Sequence, residues 1–375
     1  MKNLITLFTF ISATFQSIAG EIKITANLTG FSDSAVIYLL NEQTPIAYQT
    51  LNQGKVHLTA DIADTPQTYA IYVVENNQPY YTMLFVASET IEITADKGDF
   101  PYAVKVTGSK HHDLKAKLDE LQMHIHKKGE ALKNEITELQ QTAEWQNKEV
   151  QNKYVGPNGL TNQLKNEFKQ IEADFIIKYF NTAYAQSLLP YNTTAFDNQE
   201  FYKSVYNKMS AEQKITDIGQ QYLIASKSQR LTKGDAFIDI DLLDKDLKSR
   251  KLSEYFKNNI EYILIDLSSV SCPDSNKSFP ITKSYSDKNT DKLQIVSVLQ
   301  SPDSEMYKHF GKLSTENWAL VYAENYINSN TYIQYQENAT PTFLLFNKSG
   351  KLIDRWVGSA IHQQKMEEYF GSLSL

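Results

Sequence analysis

Cysteine is nearly absent from the sequence: Cys272 is the single thiol among 375 residues. One cysteine can form no internal disulfide, so Cys272 is either a buried, inert thiol or an exposed group that reacts with other molecules. An excess of basic charge is absent as well, because 37 Lys and Arg residues stand against 44 Asp and Glu residues and the net charge is −7. Since nucleic-acid binding needs a basic surface, we predict no nucleic-acid partner.

Long apolar runs are absent after residue 20, and the run before it is too short to span a membrane. Residues 1–20 have the pattern of a secretory signal peptide. Lys2 gives the positive charge, Leu4–Ile11 the apolar segment, and Ser17 and Ala19 the small residues before a cut. We expect residues 1–20 to be removed and the protein to be periplasmic or otherwise exported, without stable membrane insertion; a buried N-terminal element is the alternative. No cysteine follows the apolar segment, which excludes a cysteine-linked lipid anchor.

Residues 21–108 show no helical periodicity. They contain seven short β-branched or aromatic runs separated by breaks rich in Asn, Gly and Asp. This pattern predicts antiparallel strands in a sandwich or barrel-like domain. The period changes at Ser109, after which leucines three, four and seven residues apart predict a long amphipathic helix. A second helix is predicted from the break at 155–159 to Pro190, so that residues 109–230 form a helical hairpin linker with further helical material.

Residues 231–375 alternate strand and helix patterns. Strands are predicted over AFIDIDLL, YILIDLSS and LQIVSVLQ, and helices over LSEYFKNN, after Cys272 and over SEMYKHFGKL. A hairpin of TFLLFNKSG and KLIDRWVG and a helix over HQQKMEEYF follow. This order predicts a small mixed sheet covered by helices. The predicted fold class is therefore α+β multidomain, with an N-terminal antiparallel β domain, a helical hairpin linker and a C-terminal α/β domain.

Cys272 lies at the junction between the predicted strand YILIDLSS and the helix that follows it. The free amides and the dipole at a helix N-terminus favour negative charge, so the pKa of a thiol at this position should fall. Ser275, one helical turn later, is positioned to donate a hydrogen bond to the thiolate, whereas the charge of Asp274 opposes ionisation. These residues predict a nucleophilic cysteine.

The residues SCPDSNKSFP and NATPTFLLFNKSGKLIDRWVG resemble motifs of exported thioredoxin-like proteins of the TlpA type, in the alkyl-hydroperoxide-reductase and thiol-specific-antioxidant (AhpC/TSA) superfamily. In that family the first long strand ends in Trp-Cys-x-x-Cys. Cys272 falls on the first cysteine of the motif, Ser275 on the second, and Pro280 on the helix proline. Thr340 and Pro341 fall on the dipeptide with the cis-proline. Residues 21–107 are similar to the β-rich domain of unknown function that precedes such domains.

The resemblance implies a thioredoxin-like C-terminal fold and thiol–disulfide chemistry at Cys272. It implies that Thr340 and Pro341 shape the substrate-binding groove, that the partners are protein or small-molecule thiols and disulfides, and that no cofactor or metal is needed. Ser271 stands in place of the family's tryptophan, and Ser275 in place of its second cysteine. The internal thiol that completes a dithiol cycle is therefore missing, and an external thiol must resolve each mixed disulfide.

Two alternatives stay open. The first is a redox-inactive thioredoxin-fold binding or scaffold protein of the periplasm that uses the same groove. The second is a one-cysteine peroxidase, whose motif has Pro seven residues before its cysteine and Thr or Ser three residues before it. Ile265 occupies the first of these positions and Ser269 satisfies the second. Arg355 is the candidate for the guanidinium that polarises a peroxide, although its place on a hairpin strand predicts exposure.

Metal sites have little support in the sequence. His111, His112, His124 and His126 are close together in sequence, but His124 and His126 lie two residues apart on a predicted helix and point to different faces. Solvated helix histidines are therefore the favoured interpretation. The carboxylates of Asp239–Lys251 resemble those of a calcium loop but lack its glycine and its terminal glutamate.

Overall fold

The computed structural model describes residues 19–156, 158–194, 198–256, 260–300, 314–323, 330–337 and 339–371. The chain divides into two compact units, the first ending at Ser187 and the second running over Leu188–Leu375. All but the last two residues of the predicted signal peptide lie outside the described residues, and so does the helix predicted over SEMYKHFGKL.

The first unit begins with two four-stranded sheets, in the orders β4-β1-β7-β8 and β3-β2-β5-β6. Alternation of buried and exposed residues along the strands turns one face of each sheet inward, as β4 illustrates with buried Val56, Leu58, Ala60 and Ile62. The inward side chains form one apolar cluster. The strands are β1 (Ala19–Thr29), β2 (Val36–Asn41), β3 (Thr44–Thr50), β4 (Lys55–Ala63), β5 (Gln67–Glu75), β6 (Gln78–Val86), β7 (Thr90–Asp96) and β8 (Lys105–Thr107).

The β-rich fold and its seven predicted strands are confirmed, with two differences. Strand β3 was not predicted, because Pro45 interrupts its pattern and most of its residues are exposed at the edge of the sheet. The pairing is also not wholly antiparallel, since β1 and β7 run parallel with Lys23 opposite Thr90. Parallel neighbours need a long connection, and the five intervening strands provide it.

Seven α-helices follow in the described residues. Helix α1 packs against α3, and Leu118, Ile125 and Leu132 of the predicted stripe are buried. The second predicted helix ends earlier than expected, at Lys178, because Thr182 starts a new helix by accepting a 3.4 Å hydrogen bond from the Ala185 amide. The helices are α1 (His112–Leu139), α2 (Lys148–Val155), α3 (Leu160–Lys178), α4 (Ala183–Leu188), α5 (Gln199–Lys208), α6 (Ala211–Lys214) and α7 (Asp217–Lys227).

The second unit contains a seven-stranded mixed sheet in the order β10-β9-β13-β12-β11-β14-β15. Strands β11, β12 and β13 are parallel, and β14 runs antiparallel to both β11 and β15. The elements are β9 (Asp241–Leu243), β10 (Ser249–Lys251), β11 (Tyr262–Ser269), α8 (Pro273–Lys288), β12 (Leu293–Gln300), β13 (Trp318–Ala323), α9 (Asn330–Tyr335), β14 (Thr342–Asn347), β15 (Leu352–Val357) and α10 (Ser359–Phe370).

Strand β11 is central and has an apolar cluster on each side, which explains why its sequence is almost continuously apolar. Strand β13 and helix α9 were not predicted. The strand expected over AFIDIDLL is reduced to β9. Residues before β9 bond elsewhere: the Tyr335 hydroxyl donates to the Ile238 carbonyl at 2.8 Å, and the Phe237 amide donates to the Gly350 carbonyl at 2.9 Å.

Candidate functional site

The end of β11 leads directly into α8 through a tight turn. Cys272 is the N-cap residue of α8 and Pro273 its first helical residue. The Cys272 amide donates to the Ser269 carbonyl at 3.0 Å, and the Cys272 carbonyl accepts from the Asn276 amide at 3.1 Å. A proline fits the first helical position because its missing N–H would have no partner there. The thiol therefore lies at the N-terminus of a sixteen-residue helix.

Thr340 and Pro341 lie opposite the thiol. Strand β14 pairs with β11 with Thr342 opposite Leu267, which brings the residues before β14 to the end of β11. The Cys272 Sγ donates to the Thr340 carbonyl at 3.5 Å, and the Thr340–Pro341 peptide bond is cis. Cys272 is partly exposed. Within the described part of the chain, the Thr340 amide donates to no protein acceptor.

The surroundings of Cys272 favour its thiolate. Burial acts to raise the pKa of the Cys272 thiol, but hydrogen bonds from the Ser275 amide, the Thr340 side chain, the Ser275 hydroxyl and the Asp274 amide outweigh it and lower the pKa. Three of these four donors belong to the first turn of α8. The helix N-terminus thus acts on the thiol through particular amides.

Ser275 and Asp274 have further partners within the domain. Ser275 is fully buried, and its Oγ accepts from the Ser269 amide at 3.2 Å. The Asp274 carboxylate accepts from the amide of Ser359 at 2.9 Å and from its hydroxyl at 2.6 Å, at the start of α10. These bonds from Ser359 lower the pKa of Asp274 despite partial burial. The Asp274 amide lowers the pKa of the Cys272 thiol, while the Asp274 carboxylate is held by Ser359.

A buried carboxylate that the sequence did not suggest, Asp266, lies on β11. Ser268 donates to one of its oxygens, and the Ser297 hydroxyl donates to the other at 2.7 Å. The Trp318 Nε1 donates to Ser297 at 2.9 Å and extends the network to β13. Complete burial raises the pKa of Asp266 to about 6, against the opposing effect of the two serine hydroxyls.

A second buried carboxylate, Glu337, lies three residues before Thr340. Arg355 on β15 donates to both of its oxygens, through Nε at 2.6 Å and through Nη2. Arg230 approaches the same carboxylate at 3.4 Å. The expected exposure of Arg355 is wrong, since its side chain is 22% exposed. Its guanidinium is engaged by Glu337, and among the described residues no hydrogen bond or ion pair joins it to the thiol.

The remaining candidates are structural. His112 is buried, not solvated: its Nδ1 accepts from the Phe85 amide at 3.3 Å, and burial lowers the pKa of His112 to about 3. His126 stacks on Tyr102, and His124 bonds to Glu167 at 2.9 Å. Asp244 accepts from the amides of its own turn. Across the described residues, no three His, Cys, Asp or Glu side chains converge as metal ligands, and no helix has the length and apolarity needed to cross a membrane.

Two family models match parts of the chain. Residues 259–352 match the family described as thioredoxin-like. Residues 18–114 match the family described as a domain of unknown function (DUF4369). A search of the curated proteins finds no significant match.

Similar solved structures overlap with little more than a third of the chain. The thioredoxin domain of a thiol-disulfide oxidoreductase from Bacteroides vulgatus is 17% identical and aligns over 37% of this chain and 98% of its own, with a TM-score of 0.31. A thiol-disulfide oxidoreductase from Bacteroides fragilis is 20% identical over 36% of this chain and 98% of its own, with a TM-score of 0.31. The exposed lipoprotein thioredoxin of Streptococcus pneumoniae is 18% identical and aligns over 35% of this chain and 99% of its own, with a TM-score of 0.28.

Proposed function

We propose that this protein, whose C-terminal unit contains a thioredoxin-like domain behind an N-terminal DUF4369 domain, is a thiol–disulfide oxidoreductase of the cell envelope that works through Cys272 alone. The observation that carries the proposal is the position of Cys272. Cys272 is partly exposed at the N-terminus of α8, its Sγ lies 3.5 Å from the Thr340 carbonyl oxygen, and the pKa of its thiol is lowered. A low thiol pKa makes a thiolate available as nucleophile and also makes it a better leaving group.

The reaction is a pair of exchanges that conserves the number of disulfides. In the first, the Cys272 thiolate attacks one sulfur of a substrate disulfide, forms a mixed disulfide and releases the other sulfur as a thiolate. In the second, the thiolate of an external thiol attacks the substrate sulfur and Cys272 leaves as a thiolate. The substrate has then exchanged one thiol partner for another. The first-turn amides stabilise Cys272 when it leaves, which is where a lowered pKa accelerates exchange most.

The residues beside the thiol supply a place for an extended peptide. The Thr340 amide is unpaired within the described residues and lies next to Cys272, so a peptide strand can pair with it. Ser275 cannot resolve a mixed disulfide as a second cysteine would. It holds the turn through the Ser269 amide and stabilises the thiolate. We assign Thr340 and Pro341 to substrate binding and Ser275 to thiolate stabilisation.

Export and domain organisation belong to the same proposal. Residues 1–20 are the removable leader, residues 21–108 the β domain, residues 109–230 the helical linker and residues 231–375 the thioredoxin-like domain. The support for export is the charged, apolar and small-residue order of the leader sequence.

The one-cysteine peroxidase has less support than exchange. Arg355 is committed to Glu337 through two hydrogen bonds, and Ile265 occupies the position of the motif's proline. A redox-inactive binding protein would use the same Thr340 groove and leave Cys272 idle. Exchange and binding differ in what they require of the thiol, and its reactivity therefore separates them.

The test compares Cys272 in the native and the unfolded chain. We expect a chromogenic aromatic disulfide to react at pH 7 about threefold faster or more with the native thiol, because ionisation rises more than nucleophilicity falls. The pH profile of the native rate should give a pKa below that of the unfolded chain. In a turnover assay, the protein should accelerate the reaction of free glutathione with a mixed disulfide of glutathione and a second small thiol. The products are glutathione disulfide and the released second thiol, and the rate of their formation is measured.

Cys272→Ser is the matched control and should eliminate both reactions. Equal native and unfolded rates, or a native thiol that does not react, would contradict exchange and favour the binding protein. Oxidation of Cys272 by hydrogen peroxide to a sulfenic acid, far faster than that of free cysteine, would favour the peroxidase instead.

A further inference from the structure

Four tyrosines form a continuous row across the outer face of the β3-β2-β5-β6 sheet. Tyr48 is opposite Tyr38, Tyr38 is opposite Tyr72, and Tyr72 is opposite Tyr81. Each strand therefore contributes one ring to the row, and residues directly opposite in a sheet point to the same side. The Tyr38 and Tyr48 rings stack at 5.8 Å, and the Tyr72 and Tyr81 rings at 5.5 Å. We call these four residues the tyrosine row.

The row faces away from the core. The neighbours of Tyr38 and Tyr72 along their strands, Ile37, Leu39, Ile71 and Val73, are buried in the apolar cluster between the sheets. The side chain of Tyr48 is 71% exposed and that of Tyr81 is 44% exposed, and Met83 beside Tyr81 is 40% exposed. Large apolar side chains grouped on one exposed face indicate a binding surface more often than chance exposure does.

The first unit covers one end of this face and leaves the row open. Phe85, on the same side of β6 as Tyr81, is buried and packs on Tyr184 at 5.1 Å. At the border of the row, Tyr102 stacks on His126 at 3.7 Å, and burial together with nearby Tyr81 raises the pKa of Tyr102. The helices thus cover part of the sheet, while the tyrosine row keeps its exposed rings.

The face carries almost no charge. Among all residues of the four strands, Glu75 is the single Asp, Glu, Lys, Arg or His, and it is bonded to the Ser32 amide at 2.6 Å and to Lys97. The other sheet of the domain is an internal contrast. Its exposed face carries charge or a titratable ring at Glu21, Lys23, Lys55, His57, Asp61, Glu92, Asp96 and Lys105.

We propose that the tyrosine row binds a neutral carbohydrate chain. An uncharged face offers nothing to an anionic polymer or a charged peptide, so charge complementarity points to a neutral ligand. Sugar rings present apolar C–H faces with hydroxyls at their edges. Tyrosine matches that pattern, because it combines an aromatic face with a hydroxyl that stays hydrated. A row of four such rings provides successive contacts for a polymer. This binding is independent of Cys272.

The test uses the full chain and named soluble polysaccharides. Native gel electrophoresis is run with hydroxyethylcellulose, dextran, laminarin or galactomannan in the gel, and with alginate as the anionic counterpart. We expect at least one neutral polymer to retard the protein and alginate to leave its mobility unchanged. Tyr48→Ala and Tyr81→Ala should each weaken the retardation about tenfold, since each removes one ring contact.

Matched variants make the result specific to the row. Tyr48→Phe keeps the ring and should retain most of the binding, and Tyr191→Ala, which removes a tyrosine that is 83% exposed in the second unit, should have no effect. The proposal is overturned if none of the four neutral polymers retards the protein, if alginate retards it equally, or if Tyr191→Ala weakens binding as much as Tyr48→Ala does. It is also overturned if sedimentation shows a dimer that Tyr48→Ala dissociates, because a second copy would then cover the row.

Discussion

The N-terminal β domain has aromatic side chains on its exposed surface, whereas the C-terminal domain has ionisable side chains buried in its core. Between the two N-terminal sheets the cluster consists of apolar side chains, and the tyrosine row lies on the outside. In the C-terminal domain, Asp266, Glu337 and His362 have no exposed surface at all. The Trp356 Nε1 donates to His362 Nδ1 at 3.2 Å, so His362 Nε2 carries the proton and donates to Thr282 at 3.1 Å.

The difference follows from what each region is proposed to do. A binding surface made of exposed side chains can form on the outer face of a sheet without any change to the buried side chains on its inner face. A thiol site depends on the position and ionisation of one atom, and the elements that hold it are fixed by buried polar contacts. Such groups are costly when unpaired and fix a single arrangement when every partner is present. The predictions below remove these buried contacts one at a time.

The largest effect is expected from Glu337→Gln. The change removes the charge that pairs with Arg355 and Arg230, whose side chains are 22% and 36% exposed. Because the arginines retain some contact with water, we expect a loss of about 2–4 kcal/mol in the free energy of unfolding. Denaturant titration of the full chain measures it, with the transition of the second unit followed by the fluorescence of Trp318 and Trp356 after Trp145 of the first unit is replaced by Phe in both proteins.

Arg250→Gln is the matched control for that prediction. It breaks an ion pair with Asp244 in which Arg250 is 44% exposed. Solvent screening limits such a pair to about 1 kcal/mol or less. If the two variants lower the free energy of unfolding equally, Glu337 contributes no more to stability than a surface charge does. The buried polar contacts of the C-terminal domain would then not explain its difference from the N-terminal domain.

The patterns that could be predicted from sequence are local ones. The strand-to-helix junction at Cys272 is a run of apolar residues followed by a helix start, and the alternation of β4 identifies its buried face directly. Asp266 gives no such signal, because one carboxylate within an apolar strand does not change the strand's pattern. The ion pair of Glu337 and Arg355 could not be predicted from the sequence either, because a loop and a hairpin turn separate the two residues along the chain.

Register between strands is the other element that sequence could not provide. Each of Tyr38, Tyr72 and Tyr81 lies in a predicted strand, but nothing local states that their rings lie opposite one another. Strand β3, which contributes Tyr48, was not predicted at all. The order β3-β2-β5-β6 depends on how the whole domain packs, so the tyrosine row is a property of the fold and not of any one segment.

A pH-dependent effect of comparable size and opposite sign is expected from Asp266→Asn. Burial raises the pKa of Asp266 from 3.8 to about 6, so the folded protein holds a proton that the unfolded chain releases between these values. Stability from this group is therefore fully present below about pH 4 and is lost as the pH rises through 6. At pH 7 the free energy of unfolding of the variant should therefore be about 3 kcal/mol higher than that of the natural protein.

The control for Asp266→Asn is the same pair of proteins at pH 4, where the carboxyl is protonated in the folded state and partly protonated in the unfolded chain, so that most of the gain should disappear. Denaturant titrations at a series of pH values give the full profile. A gain that is the same at pH 4 and pH 7 would indicate a packing effect, and a loss at pH 7 would show that the hydrogen bonds from Ser268 and Ser297 outweigh the cost of burying the charge.

The smallest effect concerns the thiol itself and is expected from Ser275→Ala. The Ser275 hydroxyl helps to lower the pKa of Cys272, whereas the Ser275 amide, which makes the larger contribution, is kept in the variant. The pKa of the thiol should therefore rise, and the rate of exchange at pH 7 should fall by about twofold, because lower ionisation is partly offset by higher nucleophilicity. The pH profile of the reaction with an aromatic disulfide separates these contributions.

Ser278→Ala is the control for this prediction. It removes a buried hydroxyl one turn further along α8, which donates to the Ser275 carbonyl at 2.7 Å, and should leave the pKa of the Cys272 thiol unchanged. If both variants shift it equally, the first turn of α8 acts through its backbone alone and the serine in place of the second cysteine has no electrostatic role.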